Sequence, residues 1–145
     1  MSRIRIRDFG PIKEGNQSDD GWIDIKKVTI FIGNPGAGKS TVAKLISTFT
    51  WIEKALVRGD YNKKWFERKN KLKNQYLNYH RLENYFKING VDKTVIEYEG
   101  DAFSIVYENG SLTINEVENK EYPLPQIMYV PAERNFITYV KTPKE

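Results

Sequence analysis

The stretch that decides the fold of this chain is Gly33-Asn34-Pro35-Gly36-Ala37-Gly38-Lys39-Ser40-Thr41. It fits the pattern G-x-x-x-x-G-K-[ST], in which glycines, having no Cβ, let backbone N–H groups come close to phosphate oxygens. Before it, residues 28–32 (VTIFI) are rich in β-branched side chains, which predicts a short buried strand. After it, apolar residues recur at helical spacing from Val42 to Phe49. A strand, a glycine-rich loop and a helix in this order predict a phosphate-binding loop.

The ligand that this loop predicts is a nucleoside triphosphate, ATP, together with Mg²⁺. Backbone N–H groups and the N-terminal end of the helix dipole would hold the phosphates. Lys39 would reach the β- and γ-phosphates and is the predicted catalytic residue, and the Ser40 hydroxyl is the predicted Mg²⁺ ligand. The predicted nucleotide-binding residues are Gly33, Asn34, Pro35, Gly36, Ala37, Gly38, Lys39, Ser40 and Thr41. The alternative is a glycine-rich turn that contains Lys-Ser and binds no phosphate.

Composition limits the other kinds of site. The chain has 145 residues, which suits one domain, and no cysteine, which excludes disulfides and thiolate metal sites. Its only histidine, His80, excludes a histidine-based metal site or triad and is expected to be a partly buried helix residue. No apolar run approaches the roughly 20 residues of a membrane span, and residues 1–7 lack a signal-peptide core. We therefore expect a cytoplasmic protein that does not enter a membrane.

The N-terminal half is predicted to start with a strand pair. A strand over residues 3–7 ends at Asp8-Phe9-Gly10-Pro11, and residues 22–25 form the returning strand. A helix is expected from about Lys39 to Val57. A second, long helix is expected over residues 63–86, because apolar residues recur there in one stripe. These residues are Trp65, Leu72, Tyr76, Tyr79, Leu82 and Phe86.

The C-terminal half changes to an alternating pattern. Residues 93–99, 102–107 and 111–118 are short alternating runs separated by turn dipeptides, which predicts an antiparallel meander. An apolar strand is expected over residues 126–130, followed by Pro131-Ala132-Glu133-Arg134. The fold class predicted is thus α/β: a partial P-loop NTPase core with an antiparallel β lobe (meander at 91–118) and a basic helical insertion (58–90).

That insertion carries a net positive charge larger than that of the whole chain. Residues 58–87 have nine basic and three acidic side chains, whereas the whole chain has a net charge of only +4. One interpretation is a DNA-binding surface, with aromatic side chains nearby for stacking. Its basic residues would be Lys63, Lys64, Arg68, Lys69, Lys71 and Lys73. A second interpretation is a packing helix with a solvated basic face, because the aromatic residues lie on the apolar stripe. A third is a surface that contacts a partner subunit.

Two further segments carry a family resemblance. The strand-and-turn pattern Arg5-Ile6-Arg7-Asp8-Phe9-Gly10-Pro11-Ile12 precedes the loop, and Tyr129-Val130-Pro131-Ala132-Glu133-Arg134 follows late in the chain. With the loop, they resemble the ABC-type ATPase heads of the SMC, RecF and OLD group, in particular OLD-like AAA ATPases. The resemblance spans nearly the whole chain. It implies an ATP-binding head that forms a homodimer on ATP and acts on DNA, in some members in phage defence.

The chain also departs from that pattern. Pro35 follows Asn34, where ABC-type loops place the asparagine directly before a glycine. No Leu-Ser-Gly-Gly signature and no strand ending in Asp-Glu is present, and Glu133 is only a weak substitute for the general base. We therefore expect residues 1–145 to be the N-terminal part of a longer ATPase, with nucleotide binding but little turnover on their own. Lys13 is either a nucleotide contact or a solvated surface lysine.

The main alternative class is a monomeric P-loop kinase or GTPase-like enzyme. A GTPase needs an Asn-Lys-x-Asp guanine motif, but Asn62-Lys63-Lys64 is followed by Trp65. A strand pair before the loop also disfavours both enzymes, whose loops usually follow the first strand. We therefore favour the ATPase head.

Overall fold

The computed structural model describes residues 2–14, 19–26, 29, 38–68, 70–77, 80, 82–88, 91–117, 122 and 125–127. Within these ranges the helices are α1 (Lys39–Arg58) and α2 (Lys63–Phe66), with a π-helical turn (Leu72–Leu77) and a 3₁₀ turn (Glu83–Tyr85). The strands are β1 (Arg3–Arg7), β2 (Trp22–Asp24), β3 (Lys87–Ile88), β4 (Val91–Asp92), β5 (Val95–Glu99), β6 (Phe103–Glu108) and β7 (Ser111–Glu116). The architecture is mixed α/β.

Five strands form one antiparallel sheet in the order β2-β1-β5-β6-β7, and β3 and β4 form a separate hairpin. Strand register places apolar residues of neighbouring strands directly opposite one another on one face. One such row consists of Ile4, Tyr98, Ile105 and Ile114, and the next of Ile6, Ile96, Tyr107 and Leu112. All eight side chains are buried. Alternation with a period of two therefore aims one face of the sheet into the core.

Helix α1 covers this face. Its buried side chains recur at three- and four-residue spacing, as expected for one helical stripe. They include Val42, Leu45, Phe49, Ile52 and Ala55. Phe49 stacks on Tyr98 of β5 with ring centroids 5.9 Å apart. Gly59 ends the helix in a left-handed conformation (φ 77°) and donates its N–H to carbonyls of the last turn.

The opposite face of the sheet is polar. Arg3 and Arg5 of β1 stand opposite Glu99 and Glu97 of β5 and form an ion pair with each. The Arg3 Nε–Glu99 Oε2 distance is 2.6 Å. Both guanidinium groups also lie over the ring of Trp22, at 4.1 and 4.7 Å from its centroid. This face is held by cross-strand charge pairs and cation–π contacts.

The single helix predicted over residues 63–86 is wrong. Helix α2 has only four residues, and its N-cap is Asn62, whose side chain accepts a hydrogen bond from Trp65 N at 3.0 Å. Asn70 then adopts a left-handed conformation (φ 60°), which an α-helix does not allow. Its N–H donates instead to Gly110 O in the β6–β7 turn, at 2.7 Å. The apolar periodicity correctly predicted buried side chains, because Leu72, Leu82 and Phe86 are buried. These side chains lie on short, separate turns and not on one helix.

Other parts of the fold follow the prediction. The strand pair β1–β2, the helix α1 and the meander β5–β6–β7 are confirmed. The β6–β7 turn has Asn109 and Gly110 both at positive φ (52° and 83°), as two-residue hairpin turns require. The strands predicted at residues 28–32 and 126–130 lie mostly outside the described residues, so the P-loop NTPase core that includes them stays a prediction. None of the helices in the described ranges combines the length and apolarity that a membrane crossing needs.

Candidate nucleotide-binding site

The start of α1 has the features of an anion site. Gly38 is the N-cap residue in a left-handed conformation (φ 98°), with no side-chain cap. The first intrahelical bond runs from Val42 N to Gly38 O at 2.9 Å. By helical geometry the N–H groups of Ser40 and Thr41 precede that bond and have no intrahelical acceptor. The first turn of α1, which is fully described, contains no acidic residue that would repel a phosphate.

A tight turn after β1 packs against this helix start. Phe9 and Ile12 exchange backbone hydrogen bonds of 2.8 and 3.0 Å, so residues 9–12 reverse the chain. A Cβ on Gly38 would lie 2.7 Å from Ile12 Cγ1, so only glycine lets the turn approach so closely. The same turn contacts Tyr85, because Gly10 N donates to Tyr85 O at 3.0 Å and a Cβ on Gly10 would lie 2.7 Å from Tyr85 Cγ.

Thr94 connects the turn at residues 9–12 with the segment that contains Tyr85. Its side chain is buried (1 % exposed), and its hydroxyl is shared between Asp8 O and Phe86 O, the latter at 3.1 Å. Asp8 immediately precedes the turn, and Phe86 immediately follows Tyr85. Phe9 adds edge-on contacts with the rings of Tyr85 and Phe86, at centroid distances of 5.5 and 5.0 Å. The position of Tyr85 relative to α1 is therefore set by a buried hydrogen-bond and aromatic network.

The turn, Tyr85 and the start of α1 together line an open pocket of about 500 Å³. Its lining residues are Gly10, Pro11, Gly38, Lys39, Ser40, Thr41 and Tyr85. Lys39 is partly exposed and Ser40 is exposed, whereas Thr41 is buried. Lys39 and Ser40 thus have access to the pocket, and its volume falls in the range of small-molecule sites.

Several predicted site residues lie outside the described residues. These are Gly33, Asn34, Pro35, Gly36 and Ala37 of the loop, and Glu133. Lys13 is exposed and is not one of the residues that line the pocket. Among the described residues, no group of three or more His, Cys, Asp or Glu side chains could hold a metal ion.

His80 is partly buried, as expected, but it lies in a turn rather than in a helix. Lys44 of α1 donates from Nζ to His80 O at 3.3 Å. Burial, with a smaller contribution from the positive charge of Lys44, lowers the pKa of His80 below its ordinary value. The histidine therefore favours its neutral form and has the character of a packing residue.

The predicted basic residues do not share one helix. Lys63 and Lys64 lie on α2, Arg68 in the turn after it, and Lys71 at the start of the next helical turn. Lys64 and Arg68 are exposed, whereas Lys63 and Lys71 are partly buried. Lys69 lies outside the described residues, and Lys73 is described only by its backbone.

A buried carboxylate that was not predicted from the sequence lies near the C-terminal end of α1, away from the pocket. Glu53 of α1 is 1 % exposed. Its Oε1 accepts from the Tyr98 hydroxyl at 2.9 Å, and its Oε2 accepts from the N–H groups of Ala102 and Phe103 at 3.0 and 3.1 Å. A Cβ on Gly100 would overlap this carboxylate, with Oε1 2.6 Å away. One signal was present in the sequence: Glu53 falls among Phe49, Ile52 and Leu56, on the apolar side of the helix.

Tyr85 and Gly10 were also missed as pocket residues. Tyr85 is 46 residues from Lys39 in the chain, so only the folded structure brings them together. Comparisons of the chain with protein-family models, curated proteins and solved structures give no match. The resemblance to ABC-type heads therefore rests on the motif residues themselves.

Proposed function

We propose that this chain binds ATP with Mg²⁺ through residues 33–41 and is part of an ABC-type P-loop ATPase. The observation that carries the proposal is the pocket at the start of α1, which gathers Gly38, Lys39, Ser40 and Thr41 from the sequence motif. A glycine-capped helix start with no acidic residue in its first turn favours a polyphosphate. The strand pair and meander, which form the antiparallel lobe, are the structural context that the resemblance implies.

The roles of the side chains follow from their places at the helix start. The Lys39 ammonium would neutralise the β- and γ-phosphates, and the Ser40 hydroxyl would be a ligand of the Mg²⁺ ion. Tyr85 and Pro11 also line the pocket and would contact the base or the ribose. When bound, Mg²⁺ supplies charge neutralisation during phosphoryl transfer. The protein's contribution is to position the phosphates.

Hydrolysis needs groups beyond Lys39, Ser40 and the other described residues that line this pocket. An in-line attack requires an acidic partner for the metal and a residue that orients the attacking water. We therefore expect tight binding and little turnover by this chain alone. Dimerisation on ATP and action on DNA belong to the proposal through the family resemblance.

The test is isothermal titration calorimetry with ATP and Mg²⁺. The wild-type chain should bind, and Lys39→Ala should lower the affinity at least about tenfold, since a lost charge-assisted contact costs about 1.5–3 kcal/mol. Lys54→Ala is the matched control, because Lys54 lies on the same helix, away from the pocket. If Lys39→Ala and Lys54→Ala bind with the same affinity as wild type, the role assigned to Lys39 is wrong.

A further inference from the structure

A second pocket lies beyond the other end of α1, next to a group of aromatic rings. Its volume is about 480 Å³, and its lining residues are Gly59, Asp60, Tyr61, Asn62, Lys64, Trp65 and Arg68. Trp51 and Tyr61 are 36 % and 38 % exposed, and they are two of the four exposed large hydrophobic side chains among the described residues. Large exposed rings that lie side by side indicate an interaction surface.

The rings form a continuous group. Tyr61 stacks on Trp65, with centroids 5.4 Å apart and planes inclined by 25°, and lies 6.1 Å from the ring of Trp51. Phe66 is fully buried and contacts Trp51 and Tyr61 edge-on, at 6.1 and 5.6 Å. Phe66 therefore anchors the other rings to the core and holds their exposed parts in fixed positions.

Two basic side chains lie over the ring of Trp65. Lys71 Nζ lies 3.6 Å from the centroid of Trp65, and the Arg68 guanidinium carbon lies 4.8 Å from it. The acidic residues of the same region have other partners within the chain. Asp60 pairs with Arg58 at 3.4 Å, and Glu67 Oε2 accepts from Ile114 N at 3.3 Å. The region therefore presents positive charge interleaved with aromatic rings.

We propose that this surface, which we name the aromatic–basic surface, binds single-stranded nucleic acid. It comprises Trp51, Tyr61 and Trp65 with Lys64, Arg68 and Lys71. Unpaired bases stack on exposed aromatic rings, and lysine and arginine neutralise the phosphates between them. In a duplex the bases are already stacked on one another, so the exposed rings would gain nothing. An acidic peptide would match the charge but would leave the ring faces without stacking partners.

The aromatic–basic surface is separate from the nucleotide pocket. Trp51 follows Lys39 by 12 residues on α1, a separation of about 18 Å along the helix axis. The proposal does not require the phosphate loop to bind ATP. Its test is carried out without nucleotide, so that its failure and the failure of the proposed function are distinguishable.

The test measures fluorescence anisotropy of fluorescein-labelled (dT)₁₅, alone and annealed to its complement. We expect the single strand to bind at least tenfold more tightly than the duplex. Tyr61→Leu and Trp51→Leu, which keep apolar bulk, should each weaken binding at least about fivefold, equivalent to about 1 kcal/mol per lost stacking partner. Tyr61→Phe should retain binding, and circular dichroism checks that each variant is folded.

The charged part of the surface has its own readout. Arg68→Ala should lower the slope of log affinity against log salt by about 0.7, the value for one lost phosphate contact on a single strand. Arg7→Ala, at an exposed arginine on β1, should leave the slope unchanged. Equal binding of single strand and duplex, wild-type affinity of Tyr61→Leu, or binding of poly-glutamate in place of (dT)₁₅ would each overturn the proposal.

Discussion

Replacement of Glu53 should measure how much its hydrogen bonds between α1 and the β5–β6 turn contribute to the free energy of unfolding. Glu53→Ala removes one acceptor from the Tyr98 hydroxyl and one from each of the N–H groups of Ala102 and Phe103. A buried donor left without a partner costs about 1–3 kcal/mol. Because the site can relax, we expect Glu53→Ala to lower the free energy of unfolding by about 3–5 kcal/mol.

Glu53→Gln separates hydrogen bonding from charge. Its carbonyl oxygen can still accept from the two backbone N–H groups, and its amide N–H can donate to the Tyr98 oxygen. The charge-assisted bonds become neutral ones, which are about half as strong, so the expected loss is about 1–2 kcal/mol. Urea unfolding followed by circular dichroism measures both values.

Gly100→Ala completes this prediction. In the wild-type chain the new methyl group would overlap the Glu53 carboxylate, so the substitution should be strongly destabilising. In the Glu53→Ala background the carboxylate is gone, and the cost of Gly100→Ala should fall by at least about 1 kcal/mol. The reasoning is refuted if Glu53→Gln is as destabilising as Glu53→Ala, or if Gly100→Ala costs the same in both backgrounds.

Three further predictions concern backbone conformation and pH. Gly10→Ala should lower the melting temperature more than Gly59→Ala. Both residues have positive φ, which costs an alanine about 1–2 kcal/mol, but only at Gly10 would the new methyl group clash with a ring, that of Tyr85. Equal losses of melting temperature would contradict the contact. Burial, and to a smaller extent a hydrogen bond to Asp92, raises the pKa of Tyr107, so the folded state disfavours the tyrosinate. The free energy of unfolding should therefore decrease as pH rises above 10. In urea titrations, a Tyr107→Phe chain should show a smaller decrease between pH 9 and 11. Because the pKa of His80 is lowered in the folded state, the unfolded chain binds a proton at this residue first as pH falls below 6.5. The free energy of unfolding should therefore decrease below pH 6.5, and His80→Gln should remove the part of this decrease that His80 causes.

The local parts of the fold could be predicted from sequence because their signals are local. Alternation of polar and apolar residues in 95–116 fixes which face of each strand is buried, and Asn109-Gly110 supplies the positive φ of the hairpin turn. Helix α1 has both a continuous apolar stripe and a glycine at each end. These features need no information from distant residues.

The prediction of one long helix over residues 63–86 was wrong because of an interaction with a distant part of the chain. The break at Asn70 is compensated by a hydrogen bond from its N–H to Gly110 O, 40 residues further along the chain. Periodicity at three and four residues cannot distinguish one long helix from short turns that bury the same side chains. The residues that line the pocket could not be predicted from sequence either, because Gly10, Lys39 and Tyr85 come together only through the packing around Thr94.

Backbone amide NMR can show whether the loop and the start of α1 bind a polyphosphate. In a ¹⁵N-labelled chain titrated with ATP and Mg²⁺, the amide signals of Gly36, Gly38, Lys39 and Ser40 should shift most, with smaller shifts around Tyr85. Tripolyphosphate should reproduce the shifts of the loop without those around Tyr85. Saturable shifts that leave Gly38 to Ser40 unmoved would contradict the account.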